Sequence, residues 1–191
     1  MSGTFPTSPG FRAINMRSIN LNYRSESVSG RTQVRNRGGQ KWAFTASFPQ
    51  LTRAEFGPVS AFIANQDGAF ETFQITLPVL STMRGSVTGT GLVNGATGLG
   101  ATTIPVDGFT GTLKAGDFVK FGHTKVYMLT ADKTDAGNIT IKPPLVATIA
   151  NNETFIYTAV PFTVRLDNDV QEWGASPGPF FNYEIDFTEV T

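Results

Sequence analysis

The sequence predicts a mainly β protein with one helix, and three observations carry that reading. Apolar and polar residues alternate through residues 19–23, 42–48, 73–77, 162–166 and 181–187, the period of strands with one buried face. Helical spacing with a start signal stands out after Thr52. Twenty Gly and eleven Pro among 191 residues break the chain into short runs, and sixteen Phe supply a core.

Ile19, Leu21 and Tyr23 alternate with Ser18, Asn20, Asn22 and Arg24, which predicts a half-buried strand. Residues 25–40 are polar, basic and close on Gly38-Gly39, so they read as an exposed arm or long hairpin. Trp42, Phe44, Ala46 and Phe48 share one face of the clearest core strand. Thr52 and Glu55 have capping-box spacing, with Leu51 and Phe56 placed as the hydrophobic staple. Phe56, Val59, Phe62 and Ile63 then turn one apolar face to the sheet, over about residues 52–65. Gly57-Pro58 predicts a kink or a restart, because Pro58 has no N–H to give. The run from Asn65 to Gly68 stops the helix, and Phe73, Ile75 and Leu77 form a strand that ends at Pro78.

Residues 84–160 have a different texture. Gly-rich residues 85–100 read as turns rather than packed structure. Residues 102–106 read as a short strand closed by Asp107-Gly108. Residues 118–121 and 125–130 flank Gly122-His123-Thr124 as a hairpin. Asp135-Ala136-Gly137 makes a second hairpin between residues 127–131 and 138–142, and residues 155–159 read as the closing strand. The whole predicts one compact barrel or sandwich module, inserted in a discontinuous domain of residues 1–83 plus 161–191. After Pro161 the first texture returns: Phe162, Val164 and Leu166 alternate, an acidic loop covers residues 167–179, and Phe181, Tyr183, Ile185 and Phe187 alternate again.

A fold of this length buries roughly 70% of its unfolded surface, so it needs no disulfide or metal. The absence of Cys excludes thiolate catalysis and thiolate metal sites. No apolar run approaches the ~20 residues of a membrane span. The first residues carry neither a basic leader nor an apolar segment, so no signal peptide is expected. Formal net charge is zero, but it is unevenly spread. Residues 1–53 hold eight Arg and Lys against Glu26 alone, while residues 167–191 hold six acidic residues and no Arg or Lys. Opposed ends of this kind suit pairing within one fold or between copies of it.

No catalytic constellation emerges. His123 is the lone histidine and sits in a turn, without the G-x-S-x-G frame of a triad. Asp167, Asp169 and Glu172 loosely resemble a calcium loop but lack its Gly and distal Glu, so an acidic solvated loop is the expectation. Carboxylate pairs for glycoside hydrolysis meet only in space, and nothing singles one out. Arg31, Arg35 and Arg37 have the chemistry to touch phosphates. The 84–160 module, with six basic residues against five acidic, is a poor footprint for a nucleic-acid groove. Residues 95–100 lack the Lys of a phosphate loop. Trp173, in a Gly/Pro-rich loop, suits stacking on a sugar less well than anchoring a loop or a subunit contact. The expectation is no enzyme, cofactor or metal site. Arg31, Arg35 and Arg37 of the arm, with Asp167, Asp169, Glu172 and Trp173 of the acidic loop, form the candidate subunit interface.

The order of these pieces resembles the distal tail protein (Dit) family of long, non-contractile-tailed bacteriophages, in the form with a small OB-fold-like barrel inserted in the ring-forming domain. The resemblance rests on the strand near residues 19–23, the aromatic strand ending in Phe48-Pro49, the capped helix from Thr52 and the strand before Pro78. Gly116-Asp117-Phe118, Lys125-Val126-Tyr127 and the run Ile141-Lys142-Pro143-Pro144-Leu145 look like the family's insert. The resemblance implies a β-sandwich-like domain in a homo-hexameric ring at the virion's tail tip. That ring would join the tail tube protein to the baseplate hub and tail fibres, without catalysis. Another tail ring, such as a tube or terminator subunit, and a carbohydrate-binding module of the tail tip are the alternatives. With 191 residues, the large carbohydrate-binding C-terminal domain of some relatives is not expected, nor the receptor binding that it would imply.

Overall fold

The computed structural model describes residues 3–175 and 180–191. Strand β1 (Ala13–Ile19) leads into β2 (Asn22–Glu26), β3 (Thr32–Asn36) and β4 (Lys41–Ser47). β1 pairs antiparallel with β4 from Ala13↔Ser47 to Ile19↔Lys41. The strand expected through Tyr23 therefore ends at Ile19. β2 pairs only with β3, as a separate two-stranded hairpin. Leu21 and Tyr23, expected to be half-buried, are 49% and 59% exposed, because the alternation that suggested one strand crosses a turn. The arm expected over residues 25–40 is this hairpin, with every residue of both strands exposed. Trp42, Phe44 and Ala46 are buried on β4, with Phe48 just beyond.

After β5 (Leu51–Thr52) comes α1 (Arg53–Ala64). The capping box forms in both directions: Thr52 Oγ1 accepts from Glu55 N at 3.4 Å, and the Glu55 carboxylate accepts from Thr52 N at 2.9 Å. Those bonds hold the exposed Glu55 carboxyl below its usual range. Phe56, Val59 and Ile63 are buried, while Phe62 is half-buried against Phe5 and Phe73. Of the kink or restart expected at Pro58, the restart does not occur: one helix runs through it. The missing N–H forfeits one bond toward the first turn, and burial on either side of Pro58 offsets that loss. β6 (Phe73–Thr76) follows.

The middle of the chain builds β7 (Val87–Val93), β8 (Thr103–Leu113), β9 (Phe118–Lys120), β10 (Val126–Leu129), β11 (Lys133–Thr134) and β12 (Gly137–Lys142). Two expectations fail here for one reason. Residues 85–100, expected as turns, contain β7, and β8 runs straight through Asp107-Gly108, where an end was expected. The glycines serve close approach instead of turning. A Cβ at Gly91 would lie 2.5 Å from the Phe155 ring, and one at Gly108 would lie 2.3 Å from Thr90 O. A bulge between Gly89 and Leu92 fits β7 to the longer β8. The hairpin around His123 forms as β9 and β10, and β10 pairs with β12. Residues 155–159, expected as a closing strand, make one isolated bridge, Ile156 to Lys120, and Thr154 just before them makes another to Leu92. These tie β7 to β9 and curl the sheet toward itself.

β13 (Pro161–Leu166), β14 (Trp173–Ala175) and β15 (Phe180–Glu189) complete the chain. One sheet runs β1-β4-β15-β13-β6, with β5 and β14 also on β15; the other runs β11-β8-β12-β10-β9, with β7 on β8. The protein is mainly β, as expected. Val160 N donates to Ser81 O at 3.1 Å, so the chain leaves the first sheet and returns at one point. Each sheet has its own buried cluster, and the first recruits Phe118 and Val126 from the second. Trp42 lies edge-on to Phe118 at 5.5 Å and donates its indole N–H to Val126 O at 3.0 Å. Among the described residues no helix is long and apolar enough to cross a membrane.

Candidate assembly surfaces

The junction between the sheets holds charged groups that sequence reasoning missed. Lys125 is sealed from solvent, and its ammonium donates to Gln40 O at 3.0 Å, Gln40 Oε1 at 2.8 Å and the Glu189 carboxylate. Those three bonds use its three protons. Glu189 also accepts from Val126 N at 2.8 Å and Trp42 N at 3.3 Å. Burial pushes the Glu189 carboxyl up and the Lys125 ammonium down, against the pull of their mutual attraction. Lys120 reaches across the same junction to Pro161 O at 3.1 Å and Thr163 Oγ1 at 3.2 Å. A signal for Glu189 was present: it continues the inward parity of Tyr183, Ile185 and Phe187, where a carboxylate demands a partner.

The arm's basic residues do not act alike. Pairing sets Arg35 opposite Tyr23, on one face of the hairpin. Arg37 lies over the Tyr23 ring at 5.2 Å and donates to its hydroxyl at 3.1 Å. Arg31 ends the turn, where its N–H donates to Ser27 Oγ at 3.2 Å. None of the three has a carboxylate partner among the described residues.

The acidic loop is rearranged relative to expectation, and residues 176–179 of it lie outside the described residues. Asp169 is committed within the chain: its Oδ1 accepts from Ala69 N at 2.9 Å, holding the turn after α1. Glu172 lies near Glu184 and Asp186, which occupy the outward parity of β15. Asp167 stays exposed as its backbone N–H bonds Asp186 O. Trp173 pairs opposite Tyr183 on β14 and meets Phe56 edge-on at 5.7 Å, yet is 47% exposed. It anchors the loop and still presents a face.

The arm and Trp173 lie at opposite ends of one sheet, while Asp167 lines a hollow with Lys41 near the arm's end. The arm joins at the Lys41–Trp42 end of β4, whereas Trp173 pairs with Tyr183, whose carbonyl bonds Phe48 N at the other end. Six residues at ~3.3 Å each separate Trp42 from Phe48, roughly 20 Å.

His123 stays in its turn, with Nε2 2.7 Å from the Tyr127 hydroxyl, which also accepts from Val146 N at 3.0 Å. Which of the two donates depends on the imidazole tautomer. Burial pulls the His123 pKa below 6.5 and raises Tyr127 to about 12. Glu153, which accepts from Gly122 N at 2.8 Å, favours the charged imidazole, but among the described residues no carboxylate hydrogen-bonds the ring. Among the described residues no group of three His, Asp or Glu gathers in metal-binding geometry. In comparisons with known proteins, the chain matches no family model and no curated protein.

Proposed function

We propose that the chain is a structural subunit of a phage tail tip, a Dit-like protein that assembles head to tail into a homo-hexameric ring between tail tube and baseplate hub. The observation that carries this reading is a pair of different surfaces: a basic, fully exposed hairpin beyond one end of a sheet, and an acidic face where Glu172 lies near Glu184 and Asp186. An isolated two-stranded hairpin is marginal in water, so a neighbouring surface is needed to hold it. Two different patches on one subunit make a heterologous contact, the kind that closes rings. Residues 84–160 are then an OB-fold-like barrel inserted in a domain of residues 1–83 plus 161–191; the single exit and return at Ser81 and Val160 support that division. The resemblance in element order supplies the tail-tip assignment and the number six.

Another tail ring, such as a tube or terminator subunit, would use the same surfaces. A carbohydrate-binding module of the tail tip is the second reading, and the half-exposed Trp173 ring favours it. Negative-stain imaging of the purified protein separates them. Closed rings with a central hole are expected, and monodisperse monomers that bind glycans would overturn the ring.

A further inference from the structure

A cleft of about 640 Å³ opens between the base of the hairpin and the loop after β12. Arg37, Gln40 and Trp42 line one side, and Met128, Lys142 and Val146 the other. Its amides are already engaged. Asn20 and Gln40 both donate to Ser18 Oγ, at 3.3 and 3.0 Å, and Asn36 Oδ1 accepts from Gly38 N at 2.7 Å. Gln40 Oε1 is taken by Lys125. A sugar would find few free amides there. What remains is an apolar wall with two cations, and neither Arg37 nor Lys142 has a carboxylate partner among the described residues. That lining suits a chain segment with carboxylates on either side of an apolar side chain.

We propose that this cleft receives the acidic loop, residues 167–173, of a second copy of the chain. Val170, 69% exposed, enters the apolar wall, while Asp167 and Glu172 meet Arg37 and Lys142. The loop does not line its own cleft, because Asp169 holds Ala69 N and Trp173 pairs with Tyr183. The contact is therefore between copies and head to tail. Lys142 ends β12 and Val146 lies in the loop that follows it, so the middle module helps build the contact instead of merely decorating the ring. This inference rests on the ring reading above and adds to it which surfaces meet.

The chain has no Cys, so introduced thiols report without background. Val146→Cys and Val170→Cys are made separately, mixed and mildly oxidised; a disulfide needs Cβ atoms about 3.5–4.5 Å apart. A covalent heterodimer is expected, at least tenfold above a control mixture of Ser29→Cys with Val170→Cys. Adding Arg37→Glu and Lys142→Glu to the Val146→Cys partner should cut the yield about tenfold. An oligomer that forms without this cross-link overturns the cleft assignment and leaves the ring standing. A protein that stays monomeric at every concentration overturns both.

Discussion

Lys125 and Glu189 form an ion pair sealed from solvent where the two sheets meet, with every polar atom of the pair hydrogen-bonded. Desolvation drives both groups toward their neutral forms, so the pair fixes how the second sheet sits on the first more than it stabilises the fold. Removing one partner strands the other, at a typical cost of ~3–5 kcal/mol. Lys125→Met alone and Glu189→Leu alone should each fall in that range in urea melts. The double variant should recover most of the loss. A double variant as unstable as the sum of the singles would contradict this account.

The helix offers a graded comparison. Thr52→Ala removes the cap and should cost ~1 kcal/mol, whereas Phe56→Ala empties a site walled by Phe181, Tyr183 and Trp173 and should cost ~3–5 kcal/mol. Equal small losses in chemical denaturation would place α1 away from the core.

His123 gives the stability a pH dependence of definite sign. Its folded pKa lies below 6.5, so the unfolded chain takes up a proton first as pH falls. Its contribution is complete above 6.5 and declines as pH drops from there toward the folded value. The ring is also tied to the Tyr127 hydroxyl, which holds Val146 N. Melting temperature should fall more steeply below pH 6.5 for the native chain than for His123→Gln; parallel curves would contradict the assignment.

Charge reversal tests the two assembly surfaces. Arg35→Glu with Arg37→Glu should weaken self-association, and adding Asp167→Lys with Glu172→Lys should partly restore it. Asp169 is left intact because it holds Ala69 N. Exposed pairs are worth ~0–1 kcal/mol each, so the shift should be modest and should shrink with added salt. Unchanged association at low salt would remove these charges from the interface.

Elements with a strong local signal were legible in the sequence. Period two marked β4, β13 and β15 because their large apolar side chains share one face, and the Thr52/Glu55 box marked the start of α1. Whatever depended on partners far along the chain was hidden. Leu21 and Tyr23 look like strand-interior residues until pairing shows that β2 has only β3 beside it. Gly89 and Gly91 look like turn residues until β8 and Phe155 press against them. Of the predicted interface, Arg37 and Asp169 proved committed to local bonds, to Tyr23 and Ala69. Glu184, Asp186 and Lys142 were overlooked, since only the folded sheets bring them beside Glu172 and the cleft.

Self-association is the central claim, and solution mass tests it most directly. Native mass spectrometry or sedimentation of the purified chain, across a concentration series at low salt, should show a species six times the monomer mass. That species should carry slowed hydrogen exchange across the exposed strands β2 and β3, as expected if a neighbour covers them. A monomer at every concentration, with the hairpin amides exchanging freely, would contradict the account.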